Sequence, residues 1–224
     1  MKAITLFFTL ILMYVSGNAI AQSDKYEAGM QKMMQQMASA RDAASFQTIS
    51  NGFYRIAEAE KTLITPYYNA SYTLLVSAFI EMGSNMPASQ LKADQVISYV
   101  EKMKGMSPSD KEASEIKALE AYALIAKVSE DPMNKGAMYT AQVHQLLDEA
   151  TALNAGNGRA LYLKGMYLYN TPAFFGGGPS FALPFLERAA EAFLNDDHHP
   201  LMIGWGAEDT VKMLAKAQAE AAGK

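Results

Sequence analysis

The alternation of apolar and polar positions reads helical over almost the whole chain. Ala, Leu, Met, Glu, Lys and Gln dominate and β-branched runs are scarce, which is the composition of good helix formers. The pattern predicts helices near 24–39, 42–63, 67–82, 88–104, 108–129, 137–153, 157–170, 179–194 and 206–222. The breaks carry Gly, Pro, Asn or Ser: GSNMP at 83–87, GMSPSD at 105–110, EDPMNKG at 130–136 and NAGNG at 154–158. Ser107 before Pro108 reads as a cap followed by a proline at the first helical position, and Pro179 can open a helix in the same way. Helices joined by short connections, with no strand pattern, predict an all-α fold.

The helices also repeat. ASYTLLVSAF from Ala70, EIKALEAYAL from Glu115 and RALYLKGMYL from Arg159 look alike and start about 45 residues apart. Small residues (Ala78, Ala121 and Gly165) stand where two helices would approach closely. Each segment is followed by a second helix, at 88–104, 137–153 and 179–194. Paired antiparallel helices at this period predict an α-solenoid. With A for the first helix of each pair and B for the second, the stretches 83–89, 130–136 and 170–180 are all A-to-B turns. Equivalent turns of successive units stack along one edge, so these long turns should lie side by side, opposite the B-to-A turns. Insertions mapping to one edge are a common mark of a binding surface.

The segment LLDEATALNAGNGRA, with Ala150 as the small packing residue and 154–158 as the inter-unit turn, resembles the junction between two tetratricopeptide units. The chain resembles a divergent tetratricopeptide-repeat protein over roughly 42–195. More narrowly, it resembles a group of exported bacterial proteins of this kind. Their marks here are Asp131-Pro132-Met133-Asn134, Phe175-Gly176-Gly177-Gly178 and Trp205-Gly206. The resemblance implies a peptide- or protein-binding groove and brings no catalytic activity with it.

Composition narrows the setting. Half of the 224 residues are hydrophobic and 19% are charged, as in a folded chain. The net charge of -4 and the lack of a basic run give nucleic-acid binding little support. Lys2, the apolar stretch AITLFFTLILMYV and the small-x-small end at Ala19-Ile20-Ala21 read as a cleaved secretory signal over 1–21, with 22–224 as one helical domain. The apolar stretch is shorter than the roughly 20 residues a spanning helix needs, so no stable membrane insertion is expected after cleavage. The expected location is the periplasm or the medium. With no cysteine, disulfides, thiolate metal sites and cysteine nucleophiles are excluded.

Several residues are candidate contacts. Gly176, Gly177 and Gly178, before a helix opening at Pro179, could cradle an anion with their amides, but no GK[ST] and no strand precede them. The plainer reading is a turn with φ > 0 that gives slack for Phe174 and Phe175 to fold back on Phe181, Phe185 and Trp205. Exposed instead, the two rings would form a partner patch. Asp131, Asn134 and Lys135 could hold a ligand or make only an Asx-type turn, since calcium wants about six to eight oxygens. Asp196, Asp197, His198 and His199 offer ligand types at a spacing unlike known zinc motifs, and read more simply as a solvated linker. Tyr67, Tyr68 and Tyr72 could line a groove or seal the core, and Arg159, Tyr162 and Asn170 raise the same question on the last A helix. The methionines of MQKMMQQM (Met30 to Met37) suit either an adaptable surface or an N-terminal cap.

GxSxG and HExxH are absent, no catalytic pair stands out, and no cofactor or metal is expected. The expectation is a non-enzymatic binding or scaffold protein whose partner is a protein or peptide. The alternatives are a small-molecule or anion carrier using the glycine loop, and an enzyme with an unfamiliar site.

Overall fold

The computed structural model describes residues 24–223. The expected leader over 1–21 lies outside the described residues. Among those residues every regular element is helical. The order is α1 (24–39), α2 (Ala43–Ala59), α3 (Ile64–Glu81), α4 (Met86–Lys104), α5 (Asp110–Glu130), α6 (Pro132–Leu153), α7 (Gly158–Asn170), α8 (Pro179–Phe193) and α9 (Ala207–Ala222). A single 3-10 turn, Ala173–Phe175, follows α7.

Side-chain caps fix the starts of α2, α4, α5, α6 and α7. The Asp42 carboxylate accepts from the Ser45 amide, Asn85 from Ala88, Asp131 from Asn134 and Asn157 from Ala160. At α5, Ser109 and Glu112 form a reciprocal capping box. The expected start at Ser107-Pro108 is therefore displaced to Ser109-Asp110, because Ser109 has Glu112 three residues on and can satisfy two amides at once. Asp131 likewise starts α6 at Pro132, five residues before the expected position. The turn after α3 is also short, since α4 opens at Met86. Of the turns expected to be long, only the one after α7 is long.

α3 packs on α5, α5 on α7 and α7 on α9, while α4, α6 and α8 make no comparable contact with one another. The A helices thus form a closely stacked inner layer, and the B helices an outer layer, as in a helical solenoid. Ala78, Ala121 and Gly165 are buried at the expected close approaches. A Cβ on Gly165 would lie 2.7 Å from the Leu186 side chain, so only glycine lets α7 and α8 come this close. At the α5–α7 junction, Ser114 donates to the Ala150 carbonyl (2.7 Å) and accepts from Asn157 Nδ2 (2.8 Å). Met30 is fully buried, and Met33, Met34 and Met37 pack against the core, so the methionine stripe closes the N-terminal end.

Candidate functional site

After α8 the chain does not turn directly into another helix. Residues 195–206 run back as a strap over the N-terminal ends of α7, α5 and α3. Arg159 on α7 grips Asp196 with two bonds, of 2.6 and 3.2 Å. Lys111 on α5 donates to the Asp197 carbonyl and lies 3.2 Å from its carboxylate. Asn69 on α3 donates to the Leu201 carbonyl (2.7 Å) and accepts from the Ile203 amide (3.0 Å).

Beneath the strap lies a buried polar chain. Trp205 Nε1 donates to the Tyr68 hydroxyl (2.9 Å), which donates to Glu115 (2.9 Å). Glu115 also accepts from Arg159 (3.2 Å), and His198 Nδ1 lies 3.0 Å from Asp196 Oδ2. Arg159 is 1% exposed, so its charge depends on these partners. Burial works against the guanidinium, but Tyr68, Glu115 and Asp196 outweigh it and hold Arg159 charged. Burial pushes the Glu115 carboxyl up, only partly offset by Arg159 and the Tyr68 hydroxyl. Burial likewise raises the Tyr68 hydroxyl well above its ordinary value, with the Glu115 charge adding to it. Asp196 goes the other way: partial burial raises it, but Arg159 pulls harder and leaves it below its ordinary value, with His198 helping.

The same Trp205 joins an aromatic ladder across the inner layer. Phe79 stacks on Tyr122 (4.9 Å between centroids), Tyr122 on Trp205 (5.4 Å) and Trp205 on Tyr72 (5.1 Å). The interplanar angles are 29°, 18° and 12°, so the rings are close to parallel. Tyr72 and Phe79 are seven residues apart and share one face of α3, and α5 brings Tyr122 beside them. All three remain half-buried, whereas Trp205 is buried. Burial raises the Tyr72 hydroxyl to about 12, with Asp209 adding to it and Arg159 opposing. Near-parallel rings with part of their surface in solvent can extend their stack onto a planar ligand.

Of the expected contact residues, Tyr68, Arg159 and Trp205 converge in the polar chain, and Tyr72 joins the ladder. Tyr162 is buried on α7, while Asn170 is exposed and bonds back to the Met166 carbonyl. Asp131 accepts from the Asn134 amide and side chain, and Lys135 pairs with Glu130 at 3.3 Å. These three residues serve the start of α6.

The glycine turn has the φ > 0 expected of it, but it neither cradles an anion nor folds the rings back. Phe174 is 91% and Phe175 74% exposed, so the rings project outward instead of folding onto Phe185 and Trp205. The reason is that the turn is pinned. Gly176 donates to the Ala173 carbonyl (3.0 Å), Gly177 to Pro172 (3.2 Å) and Gly178 to Leu168 (2.8 Å). Gly176 and Gly178 take φ of 80° and 108°, and a Cβ on Gly177 would collide with the Thr171 carbonyl. With their amides bonded within the protein, these glycines are not free to cradle an anion.

The 196–199 cluster is not merely a solvated linker, because Asp196 through Arg159 and Asp197 through Lys111 fasten the strap. Among the described residues no group of three or more His, Asp or Glu side chains is placed to hold a metal ion. The larger cavity, about 770 Å³, opens between α1 and α2, and of the expected residues only Met33 of the methionine stripe lines it. A smaller one, about 320 Å³, lies between the starts of α3 and α5 under the strap and touches Tyr68 and Glu115.

Phe79, Tyr122 and Glu115 are not among the expected contacts, and Asp196 was expected only as a metal-ligand type or a solvated linker residue. A signal for the first two exists: a large residue follows each small packing residue, Phe79 after Ala78, Tyr122 after Ala121 and Met166 after Gly165. No helix of the described residues is long and apolar enough to cross a membrane. No protein-family model matches the chain, and no curated protein matches it. Among solved structures, the chain is similar to the HusA haemophore from Porphyromonas gingivalis. The two share 26% identity at a TM-score of 0.75, over 87% of this chain and 94% of that one.

Proposed function

We propose that the chain is an exported, non-enzymatic carrier of the tetratricopeptide-like class, comprising a leader and one helical domain. Its ligand is a haem-type planar tetrapyrrole held on the inner aromatic ladder. The observation that carries this reading is the near-parallel run Phe79–Tyr122–Trp205–Tyr72, whose outer rings keep solvent-facing surface. The likeness to a haemophore supports the ligand class. The ladder brings rings and no imidazole, so holding is by stacking and not by coordination of iron.

Titration with haem and with metal-free protoporphyrin, followed by absorbance and by quenching of the single tryptophan, tests the reading. Both should bind with similar affinity. Phe79→Ala and Tyr122→Ala should each weaken binding by roughly tenfold, as expected when a stacked ring is lost. Failure of either porphyrin to bind, or unchanged affinity in both variants, overturns it.

A further inference from the structure

Half of the large apolar side chains exposed among the described residues lie along one edge, while Leu63, Leu153, Leu194 and Val211 are exposed away from it. Met86, Met133, Met138, Phe174, Phe175 and Phe181 are all exposed, and all lie in or just after an A-to-B turn. A bond between Thr140 and the Tyr167 hydroxyl (2.7 Å) ties the first half of α6 to the end of α7, beside the Phe174 turn. Phe174 at 91% and Phe175 at 74% exposure touch each other, and this pair alone presents on the order of 300 Å² of apolar surface, as much as the largest patch on many monomers.

The edge is also nearly free of unpaired charge. No Asp, Glu, Lys or Arg occurs between Glu81 and Lys92, or between Lys164 and Glu187. At its margins Glu81 pairs with Lys92 (2.6 Å) and Glu130 with Lys135 (3.3 Å), while Asp131 is taken up as a cap. A surface without free charge complements an apolar medium and not a charged partner.

Shape narrows the occupant. Phe174 and Phe175 meet edge to face at 5.2 Å on a turn whose glycine amides are all bonded, so they stand out as a fixed knob. A second copy docking through this edge would need a socket on the same edge. Neither of the two cavities described above offers one, since they lie at the opposite ends of the helices, between the starts of α3 and α5 and beside the start of α1. A bilayer needs no socket.

We propose that this edge rests on a lipid bilayer, with Phe174 and Phe175 entering the boundary between headgroups and acyl chains, reversibly and without a spanning helix. The proposal does not rest on the ligand reading. Its test is co-sedimentation of the exported protein, purified after expression of the full chain, with phosphatidylcholine vesicles. Wild type should bind, and Phe174→Ser/Phe175→Ser should lower partition by at least about tenfold. Binding should be unchanged between low and high salt, and the variant should keep its melting temperature and its porphyrin affinity.

Absence of vesicle binding, or equal binding by wild type and variant, overturns the proposal. So does binding that needs anionic lipid and is lost in salt. A concentration-dependent dimer abolished by the variant would assign the edge to self-association instead. Loss of porphyrin binding in the variant would assign the rings to the ligand site.

Discussion

Where α3, α5 and α7 begin, the surface is built from charge: Arg159 with Asp196 and Glu115, Lys111 with Asp197, and Asn69 against the strap backbone. Where the same helices end, it is built from Phe174, Phe175, Met133 and Met86, with the few charges paired off. One end is tied shut by a returning strap. The other is open and holds its rings away from the core. The difference follows from connectivity. The B-to-A end receives the chain leaving α8, which doubles back over the starts of α7, α5 and α3 before α9 packs on α8 and α7, and each polar group it covers needs a partner. Among the described residues nothing returns across the A-to-B end, so its apolar residues are left uncovered by them.

The largest expected effect breaks the charged end. Arg159→Met leaves Glu115 and Asp196 without their shared cation, and should cost about 3–5 kcal/mol in chemical denaturation. A Glu115→Leu change on that background should recover part of the loss, because it removes the buried carboxylate left unpaired. Recovery of nothing would mean that packing, and not charge pairing, holds the strap.

A smaller effect is expected at the open end. Gly177→Ala places a methyl group against the Thr171 carbonyl, and should cost roughly 1–3 kcal/mol in thermal unfolding. Because it disturbs the turn that presents Phe174 and Phe175, it should also weaken vesicle partition.

Acidification should separate the two ends. Asp196 is held below its ordinary value, burial being outweighed by Arg159. Its contribution is therefore complete above the ordinary carboxylate pKa and is lost as pH falls through the lowered value. Glu115, raised by burial, takes its proton earlier on the way down, which relieves its burial cost but weakens its hold on Arg159. Emission from Trp205, the single tryptophan, should shift to longer wavelength only below the ordinary carboxylate range. Vesicle partition should stay flat from about pH 5 to 8. A partition that follows Trp205 emission would show the two ends to be coupled.

The smallest effect is on stability at the Phe174 turn. Phe174→Ser/Phe175→Ser should change unfolding free energy by no more than about 0.5 kcal/mol, because both rings lie outside the core. A larger loss would mean that the rings pack inward in solution.

Much of the helical layout was legible. Gly165 stood out because a period that brings two helices together demands a small residue there. Asp131 and Ser109 were harder to place: capping competes with proline position, and the helices began where a side chain satisfied their free amides. The Phe174 turn was misread because three glycines suggest slack, while the backbone bonds that remove the slack join residues whose approach depends on the fold. Glu115 carried no local mark and the run at Asp196 did not reveal its role, since a carboxylate on a helix and another on a linker become partners only when a distant guanidinium lies between them.

By itself, the sequence determined the helical period, the pairing of helices and the positions of close contact, because these depend on spacing within one element or between neighbours. Only the tertiary structure decided that the linker after α8 returns as a strap, that Trp205 joins both the polar chain and the ladder, and that Phe174 and Phe175 face outward. Each depends on contacts between residues far apart in the chain, and local pattern has no means of encoding that distance.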